Sequence, residues 1–262
     1  MFDVTDATGV TAADLNDVFR GDVYGERPIF SPETFATHVQ TNDIDVRRSI
    51  CLRDEEGGVA ALALIGIREH RAWIGGFGVS PKYRRMGLGT KCLDGALRSV
   101  RRAGCGSIEL EVLETNRGAI ALYASHGFRD AGKLFVWQSS GGGLVNAPFP
   151  YTAFPEDAVR AGTMRIPACW QREDVSLRRQ PGPFAIEQYE TSWAILRQHA
   201  EVTRIVDVVA ADDDVRHLFD RLIGYQPLLL VNEPAISNVS AELARRGWPP
   251  PRVQYRMIRS LE

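Results

Sequence analysis

The sequence predicts an α+β fold: a mixed, mostly antiparallel sheet with helices on both faces, followed by a smaller C-terminal α/β unit. Three observations predict it. Two capped helix starts open the chain, and apolar strands follow around a Glu55-Glu56-Gly57-Gly58 turn. From Trp73 onward, strand, helix, strand, helix and strand alternate. Ser139-Ser140-Gly141-Gly142-Gly143 and a Pro-rich stretch to Pro155 then read as a linker, after which a shorter strand-and-helix succession returns. The expected domains are residues 1–138 and 156–262, joined by a linker over 139–155.

Thr11 caps a helix through Phe19, and Ser31 caps a second through Val39 with Pro32 at its first position. Arg48–Arg53, Val59–Arg68 and Trp73–Val79 read as strands. Leu88–Ala103 has helical periodicity and ends near Gly104. Ser107–Leu113 alternates as a strand, which sets Glu109 and Glu111 on the opposite face from Ile108, Leu110 and Val112. Arg117–His126 is a helix closed by Gly127, and Lys133–Gln138 is a strand. In the second part, Ser192–Gln198 and Thr203–Ala210 suit a hairpin, Asp212–Ile223 a helix and Pro227–Val231 a strand. Ser237–Arg246 is a helix stopped at Gly247-Trp248, and Val253–Arg259 is a last strand.

Composition narrows the class. With 262 residues, 44% apolar and 24% charged, the chain reads as one or two ordinary globular domains. A net charge of −2 supplies no bulk field for nucleic acid. The start Met1-Phe-Asp-Val-Thr-Asp6 is acidic where a secretory signal would be basic, and no apolar run approaches ~18 residues. A cytoplasmic protein without membrane or nucleic-acid partners is expected. Cys51, Cys92, Cys105 and Cys169 show no paired spacing, and the five histidines form no zinc-like pattern, so free thiols and no metal are expected.

The segment Trp73 to Thr90 carries the chemistry. An apolar strand runs into a basic loop with Arg84, Arg85, Gly87 and Gly89, and a helix follows at once. Backbone N–H groups at a helix start, aided by the dipole, bind anions, and glycines let the backbone approach a phosphate. A nucleotide-like pyrophosphate is the expected guest. The Gly-x-Gly-x-x-Gly dinucleotide fingerprint and the Gly-Lys-Ser/Thr of P-loops are missing.

Arg84-x-x-Gly87-x-Gly89, preceded by Val79-Ser80-Pro81, resembles the coenzyme A signature of the GNAT acyltransferases. Leu110-Glu111-Val112, Asn116, Leu122-Tyr123 and Gly127-Phe128 are similar to the second signature of that family. The resemblance covers about residues 1–138 and implies a GNAT fold, acetyl-CoA as donor and a primary amine of a small molecule as acceptor. It implies that an amine attacks a thioester through a tetrahedral intermediate. Cofactor contacts then fall to Phe77, Gly78 and Val79 on a splayed central strand, to Arg84, Arg85, Met86, Gly87, Leu88, Gly89 and Thr90 in the loop, and to Asn116 and Tyr123. Tyr123 is implied as general acid; without the motif it reads as a core tyrosine, since Ile120 shares its helix face. Glu111 is implied as general base by likeness to the ribosomal-protein N-terminal acetyltransferases, against a plain solvated strand face. Glu26 is a second candidate for the base, and Asp22, Glu26 and Asp43 would suit a cationic amine at the acceptor. Asn116 also suits the cap of the helix it precedes. The resemblance leaves open a non-enzymatic acyl-CoA sensor, a longer acyl donor and a protein N-terminus as acceptor, and a monomer or a homodimer.

The second part ends as the first does: helix, Leu243-Ala-Arg-Arg-Gly247-Trp248, strand. This resembles a degenerate GNAT-like half. At the position of its phosphate loop stand Asp212, Asp213 and Asp214, which would repel a pyrophosphate, and Leu243 replaces the tyrosine.

Overall fold

The computed structural model describes residues 2–21, 29–140, 147–155, 169–199 and 202–261. The chain forms two compact units, one from Met1–Ala131 with Arg256–Glu262 and the other from Gly132–Tyr255. Among the described residues, no helix is long and apolar enough to cross a membrane.

In the first unit the strands β1 (Asp3–Asp6), β2 (Ile50–Arg53), β3 (Val59–Arg68), β4 (Arg71–Val79) and β5 (Ser107–Leu113) follow one another in the sheet, and β11 (Arg252–Ser260) lies next to β5. The pairs from β1 to β4 are antiparallel and β4 with β5 is parallel. The first helices start as their caps predict. Thr11 and Asp14 form a capping box on α1 (Ala12–Phe19), and Ser31 and Thr34 form one on α2 (Pro32–Thr41). Helices α3 (Leu88–Arg102) and α4 (Arg117–Ser125) complete the unit.

Period two sorts these helices onto two faces. Leu64 and its partner Gly76 meet Phe19 of α1, whereas Ala63 pairs with Phe77, whose ring meets Tyr123 of α4. Gly95 of α3 meets Ile50, which pairs with Ala63. The sheet thus carries α1 on one face and α3 and α4 on the other.

In the second unit the order is β6 (Arg129–Gln138), β10 (Leu228–Pro234), β9 (Val202–Val209), β8 (Ser192–His199) and β7 (Phe184–Tyr189). Alternate residues of β8 enter two cores. Ala194 and Leu196 pack with Leu218 of α6 (Val215–Arg221) and Leu243 of α7 (Asn238–Arg245). Trp193 and Ile195 pack with Leu177 of α5 (Asp174–Arg178).

Two expectations change here. The boundary at 138 gives way to an exchange: the strand after α4 belongs to the second unit from Gly132 on, and the last strand, from Arg256, belongs to the first. Period-two alternation fixes which face a strand buries, not which distant strand it pairs with. The described part of 139–155 is also no free linker. Ser139 accepts from the Leu228 N–H at 2.8 Å, Tyr151 bridges Phe184, and Phe149 and Phe154 pack against the two cores.

Candidate active site

The site is built where β4 and β5 part. Their pairing runs Arg71 with Ser107, Ala72 with Ile108 and Trp73 with Glu109, and stops there. On the other edge of β4, a register shift against β3 leaves Gly75 as one extra residue between Ile74 and Gly76. This is a β-bulge, which bends a strand and disrupts its ladder. A Cβ on Gly75 would lie 2.3 Å from the Trp73 ring, so only glycine fits this turn of the backbone. Gly78 is equally constrained: a Cβ there would stand 2.6 Å from Val18 and 2.9 Å from Phe19. The glycines of this strand thus serve close packing of α1 and the bulge.

Past β4 the chain makes a single 3-10 turn, Pro81–Tyr83, and then the basic loop. Arg85 (φ +66°) and Gly87 (φ +76°) both take left-handed backbone, which for a non-glycine residue stores strain typical of functional loops. Gly87 is the N-cap of α3 and provides no side-chain cap. Helices α1, α2 and α4 are instead capped by Thr11, Ser31 and Asn116. The longest helix of the unit therefore offers its first N–H groups, with the positive end of its dipole, to whatever lies in front. In front lies a cavity of about 400 Å³.

That cavity gathers most of the predicted contacts. Phe77, Gly78, Val79, Arg84, Arg85, Gly87, Leu88, Gly89, Thr90 and Asn116 all line it. Two of the predicted contacts do not line it: Met86, which is exposed, and Tyr123, which is buried behind Phe77. Asn116 Oδ1 accepts from the Ala119 N–H at 3.2 Å, so it caps α4 and borders the cavity at once. Arg84 is less a rim cation than a brace: its Nε donates to the Val79 carbonyl at 3.1 Å and its Nη2 to the Arg20 carbonyl at 3.0 Å. Sequence reasoning missed Val18, Phe19 and Tyr83, ordinary apolar or aromatic residues with no motif to mark them, and Leu122, which was read as part of a signature but not as a contact. The pyrophosphate fit is good: a strained loop with glycine at its turn, an uncapped helix start and arginine at the edge.

Tyr123 is buried, its ring 5.6 Å from Phe77 and 5.7 Å from Phe128. Glu26 and Asp22 lie outside the described residues. Asp43 is committed elsewhere, accepting from Arg68 Nε at 2.7 Å.

Glu111 stands on the α1 face, two residues beyond the last paired position of β5. That face is covered rather than solvated, and Glu109 on it is buried. Trp73 Nε1 donates to Glu111 Oε2 at 2.8 Å, while Glu111 Oε1 is buried with no hydrogen-bond partner. Burial pushes the Glu111 carboxyl up to about 7, and the neighbouring Glu109 adds to the rise; the Trp73 bond and Arg256 oppose it. Arg256 Nε donates to Glu109 Oε2 at 2.8 Å, so the last strand of the chain supplies the countercharge.

Residues 15–128 match the family model described as acetyltransferase (GNAT) family. That segment thus resembles a GNAT-family domain. Over 77 residues it is 35% identical to the [ribosomal protein bS18]-alanine N-acetyltransferase of Escherichia coli (strain K12), covering 29% of this chain and 52% of that protein. The chain thus spans about half the length of the curated relatives it matches. In fold, the whole chain is similar to a GCN5-related N-acetyltransferase from Sphaerobacter thermophilus, with a TM-score of 0.67 at 15% identity over 100% of this chain and 96% of that one. A GCN5-related N-acetyltransferase from Kribbella flavida gives 0.56 at 16% identity, over 99% of this chain and 71% of that one. The GNAT fold thus holds, as the glycine loop and the Asn116–Tyr123 pattern implied. Among the described residues no cluster of side chains could hold a metal ion.

Proposed function

We propose that the GNAT domain is an N-acetyltransferase that takes acetyl-CoA as donor and a primary amine of a small molecule as acceptor. The observation that carries this reading is Glu111, a carboxyl raised to about 7 where β4 and β5 part, with one buried oxygen unpartnered. A base with that affinity for protons is matched to an amine near neutral pH. Bound in the cavity, acetyl-CoA supplies a thioester as acyl donor. The amides from Arg85 to Thr90 hold its pyrophosphate. The edge of β4 at Phe77–Val79 orients the pantetheine arm as an added strand would be oriented, and offers an N–H to the developing oxyanion. Glu111 Oε1 accepts the proton of the amine, and Tyr123 Oη donates one to the departing sulfur.

A protein N-terminus is the second reading of the acceptor, favoured by the 35% identity to a relative named for acetylating the alanine of a ribosomal protein. The second unit is inferred to be a degenerate copy of the first. Gly127 (φ +80°) ends α4 with the Phe128 N–H donating to the Tyr123 carbonyl at 3.1 Å. Gly247 (φ +70°) ends α7 with the Trp248 N–H donating to the Leu243 carbonyl at 3.1 Å.

The test is thiol release from acetyl-CoA with a panel of small amines and short peptides. Tyr123→Phe should lower kcat by about 100-fold and leave acetyl-CoA affinity within about twofold. Unchanged turnover would remove Tyr123 from the chemistry. Turnover with peptides alone would replace the small-molecule acceptor by a protein one.

A further inference from the structure

We propose that His38, on α2, is a positioning residue for the acyl transfer; the inference rests on the acetyltransferase reading above. His38 Nε2 lies 3.0 Å from the carbonyl oxygen of Gly75, the bulge residue of β4. A carbonyl only accepts, so Nε2 carries the proton. His38 Nδ1 lies 3.3 Å from Asn42 Nδ2, whose hydrogens also go to the His38 carbonyl at 3.0 Å and to Thr41 Oγ1 at 3.1 Å, so Asn42 packs against the ring from its own helix. The imidazole is thus aimed at one backbone atom.

That atom matters because a bulge takes a carbonyl out of its ladder and leaves the strand beyond it free to swing. Phe77–Val79, the segment that faces the cavity, begins two residues past Gly75. The His38 ring also lies 5.9 Å from the Trp73 ring, edge on, and Trp73 Nε1 holds Glu111. The Phe30 ring also packs against the imidazole at 5.6 Å. One side chain therefore fixes the backbone edge that orients the donor and, through Trp73, the carboxyl that receives the proton. Both must be placed to a fraction of an ångström, since a displacement of about 1 Å can cost about 100-fold in rate.

The experiment compares His38→Leu and His38→Gln with the unaltered chain. Measured are kcat per folded molecule, acetyl-CoA affinity by calorimetry, and amide hydrogen exchange across β4. His38→Leu fills the space and cannot donate. It should lower kcat by about 10- to 100-fold, leave acetyl-CoA affinity within about threefold, and speed exchange at Gly76–Val79. His38→Gln, whose amide can donate to the Gly75 carbonyl, should recover most of the rate. Unchanged kcat in His38→Leu overturns the inference. So does a loss that merely tracks the unfolded fraction and is not recovered by His38→Gln. Lack of turnover in the unaltered chain with every amine and peptide tried would overturn the acetyltransferase reading and this inference with it. The two failures are distinct, because the first leaves the unaltered chain active.

Discussion

Among the described residues each unit has a parallel strand pair that parts, and the two are finished differently. In the first, β4 and β5 part after Trp73 and Glu109, β4 is rich in glycine past that point, and an uncapped helix start faces a cavity. In the second, β9 and β10 part after Ile205 and Leu230, and Arg172 bridges the strands beyond that point. Its Nη2 donates to Asp207 Oδ1 at 3.1 Å, its Nη1 reaches the Asn232 carbonyl at 3.4 Å, and Nη1 also donates to the Glu233 carboxylate. Burial opposes the charge of Arg172, but Glu233 and Asp207 outweigh it and raise its hold on the proton. Asp212-Asp213-Asp214 leads into α6, the helix that follows β9, and there Asp214 accepts from Ser192 Oγ at 3.0 Å. Parting strands leave backbone groups that need partners. A ligand can meet that need in the first unit, whereas an internal guanidinium meets it in the second. The fold alone does not make a binding site; the residues at the helix start and across the gap decide it.

The largest expected effect comes from removing that bridge. Arg172→Ala takes the cation from the buried Glu233 carboxylate and one partner from the buried Asp207, and breaking such a buried pair typically costs about 3–5 kcal/mol. Denaturant unfolding of the full chain should show it, while acetyl-CoA still binds once per chain. A loss below about 1 kcal/mol would mean that water replaces the guanidinium and that the second unit is closed by something else.

Next is the loop of the first unit. Gly87→Asp forces a left-handed backbone on a residue with a Cβ and sets a carboxylate where the pyrophosphate is expected. Acetyl-CoA should then bind more than about 100-fold more weakly in calorimetry, roughly 2.7 kcal/mol. Affinity at the level of the unaltered chain would take the loop out of the site.

The comparison was half legible in the sequence. The cofactor loop was, because Gly87 and Gly89 at fixed spacing encode a backbone shape, and the caps Thr11, Ser31 and Asn116 encode helix starts locally. The acidic start of α6 was legible as a loop hostile to phosphate. Arg172 was not, because its partners Asp207, Asn232 and Glu233 lie 35 to 61 positions away and nothing local pairs them. Strand β1 was missed since Asp-Val-Thr-Asp has no apolar alternation. The covered face of Glu109 was missed because Arg256, its countercharge, comes from the far end of the chain. His38 reads as one more polar residue of an amphipathic helix.

That distant countercharge gives the smallest effect. Glu111 must be ionised to accept a proton, and its pKa is about 7 rather than the ordinary 4.5, so kcat/KM should rise with pH through about 7 and then level. The same shift has a stability consequence. The unfolded chain loses this proton first, so Glu111 makes the fold less stable as pH climbs from 4.5 to about 7, and Glu111→Gln should flatten that decline. Arg256→Met acts in the opposite sense to a neutralised Glu109. It removes a cation that lowers the Glu111 pKa and uncovers the Glu109 charge that raises it; Arg71 Nη1, 3.8 Å from Glu109 Oε1, remains as partial compensation. The rate limb should move above 7 with its plateau preserved, as a pH–rate profile would read directly. A limb that stays in place would show that the last strand neutralises Glu109 without reaching the base, and would leave burial as the whole cause of the raised pKa.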